Sequence, residues 1–178
     1  MAEEKNIRIV LDTDVLIHFS KGGMLNVLPT IFPENEFILL GAVAEELKGD
    51  VGIQVDNLFL IRKNFIRLPF NPRGEMLREY ARLKSRFGKG ESACMAYCLF
   101  NHDVIGSSNL RDIRAYCEEN RITYLTTLDF LWHGWKRGLV TTVEANAFID
   151  EVRASGSKLP DVRIEKYECT HVINNQDN

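Results

Sequence analysis

Five short apolar runs recur along the chain, within "IRIVL", "FILL", "FIRLPF", "DVIGSS" and "ITYLTT", and stretches of helical periodicity separate them. Strands divided by helices cannot close as tight hairpins; they pair in parallel through crossovers, and a parallel sheet needs helices on both faces. The pattern predicts an α/β fold, three layers α/β/α with a central, mostly parallel sheet. In such sheets ligands bind at the carboxyl ends of the strands, so the residues that follow each run carry most of the functional information.

The predicted strands are 7–11, 37–40, a short extended piece at "FIRLPF", "DVIGSS" and "ITYLTT". Predicted helices cover "GGMLNVLPTIF", "AVAEELKG" with Gly49 as its stop, "QVDNLFLIRKN", "GEMLREYARLKSRF", "ESACMAYCLFNH" opened by "GKGE", and "RDIRAYCEENR". "LDFLWHGWKRG" and "TVEANAFIDEVRAS" follow, the latter with a capping box at Thr141 and Glu144. From about Glu165 onward no periodic pattern is visible, which predicts a loose tail. At 178 residues, 45 % hydrophobic and 26 % charged, the chain is expected to fold as one domain with a real core.

The first strand runs straight into acids, "IVLDTDVLI", where Asp12 and Asp14 flank Thr13. Adjacent buried carboxylates repel unless a cation or hydrogen-bond donors hold them. After the second strand come Glu45 and Glu46; helical phase relative to Val43 and Leu47 makes Glu46 the site candidate and leaves Glu45 to solvent. Glu91 falls in the stripe of Cys94, Met95 and Cys98, the core-facing stripe of its helix. "SSNLRDI" ends a further strand and supplies Ser108, Asn109 and Asp112, where Asn109 and Asp112 could also serve as a helix cap. Asp12, Glu46, Glu91 and Asp112 thus gather at one sheet edge, and a hard divalent cation, Mg²⁺ or Mn²⁺, would relieve their repulsion.

The net charge of -3 gives no global sign of a nucleic-acid partner. Between Arg62 and Lys89, however, Arg78, Arg82, Lys84, Arg86 and Lys89 belong to a basic stripe opposed only by Glu75 and Glu79. Such a stripe can track a phosphate backbone or form a solvated helix face. Cys94, Cys98, Cys117 and Cys169 and the four histidines show no zinc-type spacing, so the cysteines are expected as free thiols. The polar start "MAEEKN" and the lack of a long apolar run predict a cytoplasmic chain with no membrane segment.

These residues resemble the PIN-domain family of metal-dependent ribonucleases, whose best-known members are VapC-type toxins. The family's strand followed by Asp-Thr/Ser and an apolar pair is matched by "LDTDVLI", and its Val-x-x-Glu-Leu helix by Val43 to Leu47. Its Gly-x-Gly-Glu helix start is matched by "GKGESA", and its Ser-x-Asn-x-x-Asp ending by Ser107 to Asp112. The resemblance spans about residues 7–140 and implies Asp12, Glu46, Glu91 and Asp112 as catalytic metal ligands. It further implies Thr13, Asp14, Ser108 and Asn109 as positioning residues, and Arg78, Arg82, Lys84, Arg86 and Lys89 as contacts to the RNA backbone. Many members carry an acid where Asn109 stands, and this chain departs from them there. Residues 141–164 resemble the C-terminal helical extension of one branch, packed on the same domain.

The implied activity is Mg²⁺- or Mn²⁺-dependent hydrolysis of RNA phosphodiester bonds, with a homodimer and an antitoxin protein as implied partners. Two other readings stay open. One is a PIN fold of weak or absent catalysis that binds RNA or protein, which Asn109 and Leu110 favour. The other is a haloacid-dehalogenase-type phosphatase suggested by "DTDV", against which Leu16 and the missing late acidic pair count.

Overall fold

The computed structural model describes residues 6–173. The first half runs β1 (Ile9–Leu11), α1 (Thr13–Lys21), α2 (Leu28–Ile31), β2 (Phe37–Leu40), α3 (Gly41–Ala44), α4 (Gly49–Ile61) and β3 (Phe65–Leu68). It continues through α5 (Gly74–Lys84), α6 (Lys89–Asn101), β4 (Val104–Gly106), α7 (Leu110–Asn120), β5 (Tyr124–Leu125), α8 (Thr127–Lys136) and α9 (Thr142–Ala154). A 3₁₀ turn at Ile164–Lys166 follows.

The five strands form one sheet in the order β3-β2-β1-β4-β5, and every neighbouring pair is parallel. The expected three-layer α/β/α architecture is present. β1, β2 and β4 are buried at every residue, as a sheet covered on both faces requires, whereas in the edge strand β3 only Phe65 is buried and Arg67 is exposed. Helices α1, α2, α8 and α9 pack among themselves, and α3, α5 and α7 pack on α6. Phe19, Phe130 and Phe148 anchor the first group, with Phe19 to Phe148 ring centroids 5.0 Å apart and Phe37 of β2 beside Phe130. Rings at these separations add about 0.5–1.5 kcal/mol per pair beyond their buried area.

The capping box at Thr141 and Glu144 is formed, and Thr126 with Asp129 makes a second one at the start of α8. One helix was not expected, and three expectations need correcting. The segment after β1 is a helix, α1, which begins one residue after the strand because Asp12 caps it: its carboxylate accepts from the Thr13 amide at 2.8 Å. Only Leu28–Ile31 of "GGMLNVLPTIF" is helical. Gly49 does not stop a helix but opens α4, with φ of +61° where a residue with a Cβ would be strained. The segment 165–173 is not loose: Tyr167, Cys169 and His171 bond to the α8 residues Asp129 and His133, while residues 174–178 lie outside the described part.

Among the described residues no helix is long and apolar enough to cross a membrane.

Candidate metal centre at the carboxyl edge of the sheet

Strand order explains where the acids go. β1 is the central strand, with β2 on one side and β4 on the other, so the chain leaves all three at one edge. Asp12 follows β1, Glu46 lies in the turn after α3, and Ser107 to Asp112 follow β4. The N-terminus of α6 brings Glu91 to the same place, where Asn109 reaches it.

Asp12 is buried, its two oxygens taking the Thr13 amide at 2.8 Å and the Ser107 hydroxyl at 3.2 Å. Asp14 accepts from the Ser108 amide at 2.8 Å, and the Ser107 hydroxyl lies 3.5 Å away. The other oxygen of Asp14 is buried without a hydrogen-bond partner. Glu46 is exposed as a residue rather than facing inward from a helix, because α3 ends at Ala44. Its carboxylate is nonetheless fixed at both oxygens, by the Thr13 hydroxyl at 2.9 Å and the Gly90 amide at 2.7 Å. Glu45 faces solvent as expected and there pairs with Lys89. The same ion pair occupies a cation expected to contact RNA.

Asn109 is the N-cap residue of α7, yet its side chain makes no capping bond. Its amide nitrogen instead spans Glu91 Oε1 and Asp112 Oδ2, 2.9 Å from each, so a neutral donor tethers two acids. Ser107 was absent from the expected site. It is fully buried and lies between Asp12 and Asp14, and its place directly after β4 was the available signal. Ser108 reaches the interior through its hydroxyl, which bonds Thr127 Oγ1 at 2.7 Å; that oxygen lies 2.8 Å from Nδ1 of buried His18.

Burial raises the pKa of Asp12, and Glu46 adds to the rise against the bonds from Thr13 and Ser107. Burial and then Asp12 raise that of Asp14. Glu91 is pushed up to about 8 by burial, then by Asp12, Asp112 and Asp14. These acids therefore share one field of negative charge. Helix N-termini meet part of it, since Asp12 caps α1 while Glu91 and Asp112 stand in the first turns of α6 and α7.

An all-oxygen, all-acid donor set with an orphaned buried carboxylate oxygen fits a hard divalent cation. Among the described residues no group of three or more His, Cys, Asp or Glu side chains already converges as a metal-holding set. The bonds from Thr13, Ser107, Gly90 and Asn109 hold the acids in their present places. A separate groove of about 360 Å³ opens beyond Glu45, between Ala44, Leu47, Val55 and Arg67, and none of these five acids lines it.

The basic stripe is partly neutralised. Arg78 pairs with Glu75 and Arg82 with Glu79, each one turn away on α5. Lys84 lies over the Tyr80 ring and Arg86 over Phe87.

Fold and site together define a parallel α/β domain with an acid-lined carboxyl edge. No family model matches the chain, and no curated protein matches it.

Proposed function

We propose that this chain is a Mg²⁺- or Mn²⁺-dependent endoribonuclease of the PIN type. The observation that carries the reading is the gathering of Asp12, Asp14, Glu46, Glu91 and Asp112 at the carboxyl edge of β1, β2 and β4, where the charges acting on Glu91 are Asp12, Asp112 and Asp14. Asp12, Glu46, Glu91 and Asp112 would hold the cation, with Asp14 beside Asp12. A bound ion of this class activates water at neutral pH and offsets charge on the phosphate undergoing displacement. Thr13 and Gly90 keep Glu46 aimed at the cluster, and the Ser107 hydroxyl lies between one oxygen of Asp12 and one of Asp14. Asn109 has both amide hydrogens engaged with acids; release from either one frees a donor for a phosphate oxygen.

Lys84 and Arg86, which are not in ion pairs with α5 acids, are the first candidates for the RNA backbone, followed by Arg78, Arg82 and Lys89. RNA affinity then falls as salt rises. In this reading the protein works in the cytoplasm, as a homodimer and opposite an antitoxin protein.

The test is cleavage of a single-stranded fluorogenic RNA with Mn²⁺, comparing wild type with Asp12→Asn. Turnover in wild type alone supports the reading; equal cleavage by both proteins sinks it. A second reading is favoured by the Asn109 bridge: a non-catalytic RNA-binding module in which that amide replaces the cation. RNA binding without turnover, and no thermal response to Mn²⁺, would select it.

A further inference from the structure

A second cluster of titratable side chains lies away from the acidic edge, where the segment after the 3₁₀ turn crosses α8. Asp129 and His133 are four residues apart on α8 and so share one helix face. Cys169 and His171 stand two apart on the crossing segment. The Cys169 Sγ lies 3.2 Å from Asp129 Oδ1 and 3.7 Å from His133 Nε2, and His171 Nδ1 is 3.2 Å from Asp129 Oδ2.

We propose that Asp129, His133, Cys169 and His171 bind a borderline-soft divalent cation of the Zn²⁺ class.

Donor chemistry is the first argument. One sulfur, two imidazoles and one carboxylate make up a set that suits zinc and disfavours Mg²⁺. Spacing is the second. Bonds of about 2.0–2.3 Å in a tetrahedron put neighbouring donors roughly 3.3–3.8 Å apart, and the three contacts of 3.2, 3.7 and 3.2 Å lie near that span, with Asp129 turning one oxygen to Cys169 and the other to His171. Charge is the third. Asp129 is fully buried, and with a Cys169 thiolate and two neutral imidazoles it would balance a dication.

The fourth argument is that Asp129 is held in place by its neighbours. Thr126 gives Asp129 its amide at 2.8 Å and its hydroxyl at 2.9 Å, and Tyr167 gives its hydroxyl at 2.7 Å. Three donors fill three of the carboxylate's roughly four acceptor sites and leave one on Oδ1, the oxygen that faces the Cys169 sulfur.

The four side chains do not converge on one point as they stand, so binding requires them to close on the ion. The single Cys169 S–H proton has Asp129 Oδ1 at 3.2 Å and the His171 carbonyl at 3.1 Å within reach, and His133 Nε2 lies 3.1 Å from that carbonyl. Burial, then the bond to Asp129, push the Cys169 thiol up to about 12, so the metal-free chain holds it protonated. Binding forms a metal–sulfur bond, breaks the S–H bond and releases that proton to solvent, while His133 carries its proton on Nδ1. No electrons are exchanged. Occupancy would fasten the crossing segment to α8.

The test titrates Co²⁺, a spectroscopic substitute for Zn²⁺, into the full chain with excess Mg²⁺ present to occupy hard oxygen sites. One Co²⁺ per chain with tetrahedral visible bands, a near-ultraviolet thiolate charge-transfer band and displacement by Zn²⁺ is expected. Cys169→Ser, which keeps a donor to Asp129, should lose the charge-transfer band and at least tenfold in affinity. Asp12→Asn should leave both unchanged, which separates this site from the acidic edge. Absence of Co²⁺ binding, an octahedral spectrum, or identical spectra for wild type and Cys169→Ser would overturn the proposal. Should Cys169→Ser unfold by circular dichroism, His171→Gln with the thiol intact is read instead: weakened tetrahedral bands support the site, and unchanged bands and affinity overturn it.

Discussion

The Gly90 amide donates to the Glu46 carboxylate at 2.7 Å, and a Cβ at Gly90 would stand 2.7–2.9 Å from that carboxylate's atoms. Glycine is therefore what lets Glu46 close on the N-terminus of α6. Alanine is a better helix former by about 1 kcal/mol, so Gly90→Ala should not lower Tm. It should move Glu46 away and reduce Mn²⁺-dependent RNA cleavage on the order of 10²-fold. Thermal melts alongside cleavage rates check both halves; undiminished cleavage would show that Glu46 is not needed where it stands.

Asp12 and Asp14 carry different loads. Asp12 caps α1 and has both oxygens bonded, whereas one Asp14 oxygen is buried and unpaired. Asp12→Asn is expected to abolish turnover, and Asp14→Asn only to reduce it. Without metal, Asp14→Asn should raise stability by about 1 kcal/mol, since burial and Asp12 both disfavour its charge. Urea melts in a chelator measure this, and equal kinetic effects would mean the pair has been divided wrongly.

Cation and pH act on the same acids. The folded pKa of Glu91 lies at about 8 against an ordinary 4.5, so between those values the folded chain holds a proton that the unfolded chain has lost. Its contribution to stability is present below pH 4.5 and is lost as pH rises through about 8. Mn²⁺ competes with that proton and should reverse the loss. At a hundredfold excess over Kd the gain is about 2.7 kcal/mol, or roughly 5–10 °C in Tm for a chain of this size. Differential scanning fluorimetry at acidic and mildly alkaline pH, with and without Mn²⁺, reads the crossover. A Tm indifferent to Mn²⁺ at alkaline pH would remove the metal from this edge.

Asn109 supplies a test by added charge. Its amide tethers Glu91 to Asp112, so Asn109→Asp exchanges a neutral donor for a further acid. The metal-free variant should lose on the order of 1–3 kcal/mol. Its stabilisation by Mn²⁺ should exceed that of wild type. A variant as stable as wild type in chelator would show that the bridge bears no strain from the two acids.

His18, joined to the acidic edge through Thr127 and Ser108, sets an acid limit of its own. Burial, then Lys21, lower its pKa from 6.5 to about 4, so the unfolded chain binds a proton that the folded chain refuses in that window. Stability is complete above pH 6.5 and falls as pH drops towards 4, by on the order of 3 kcal/mol. His18→Gln should flatten that decline in denaturant melts taken across the window; a decline of unchanged slope would assign it to other groups.

The sequence by itself determined the parallel α/β architecture, because strand runs and helix periodicity depend on neighbours within a few residues. β2 begins and ends where the apolar run does, and the Thr141 and Glu144 capping box is a contact across three residues. Asp12, Glu91 and Asp112 were legible for the same reason: each follows a strand or opens a helix. Helix α1 was hidden because a strand and a helix meet at Asp12 without a loop. Only the tertiary structure decided the rest. Ser107 meets Asp12 across 95 residues, and Thr13 meets Glu46 across 33, distances that sheet register closes and no local pattern encodes. Glu46 reached the site through Gly90 rather than through the phase of a helix that ends before it. The basic stripe was visible as charge, but which cations remain unpaired was set by side chains a turn away on α5 and by Glu45. The meeting of Cys169 with His133 required the chain to return across α8, which depends on the packed core and not on any run of residues.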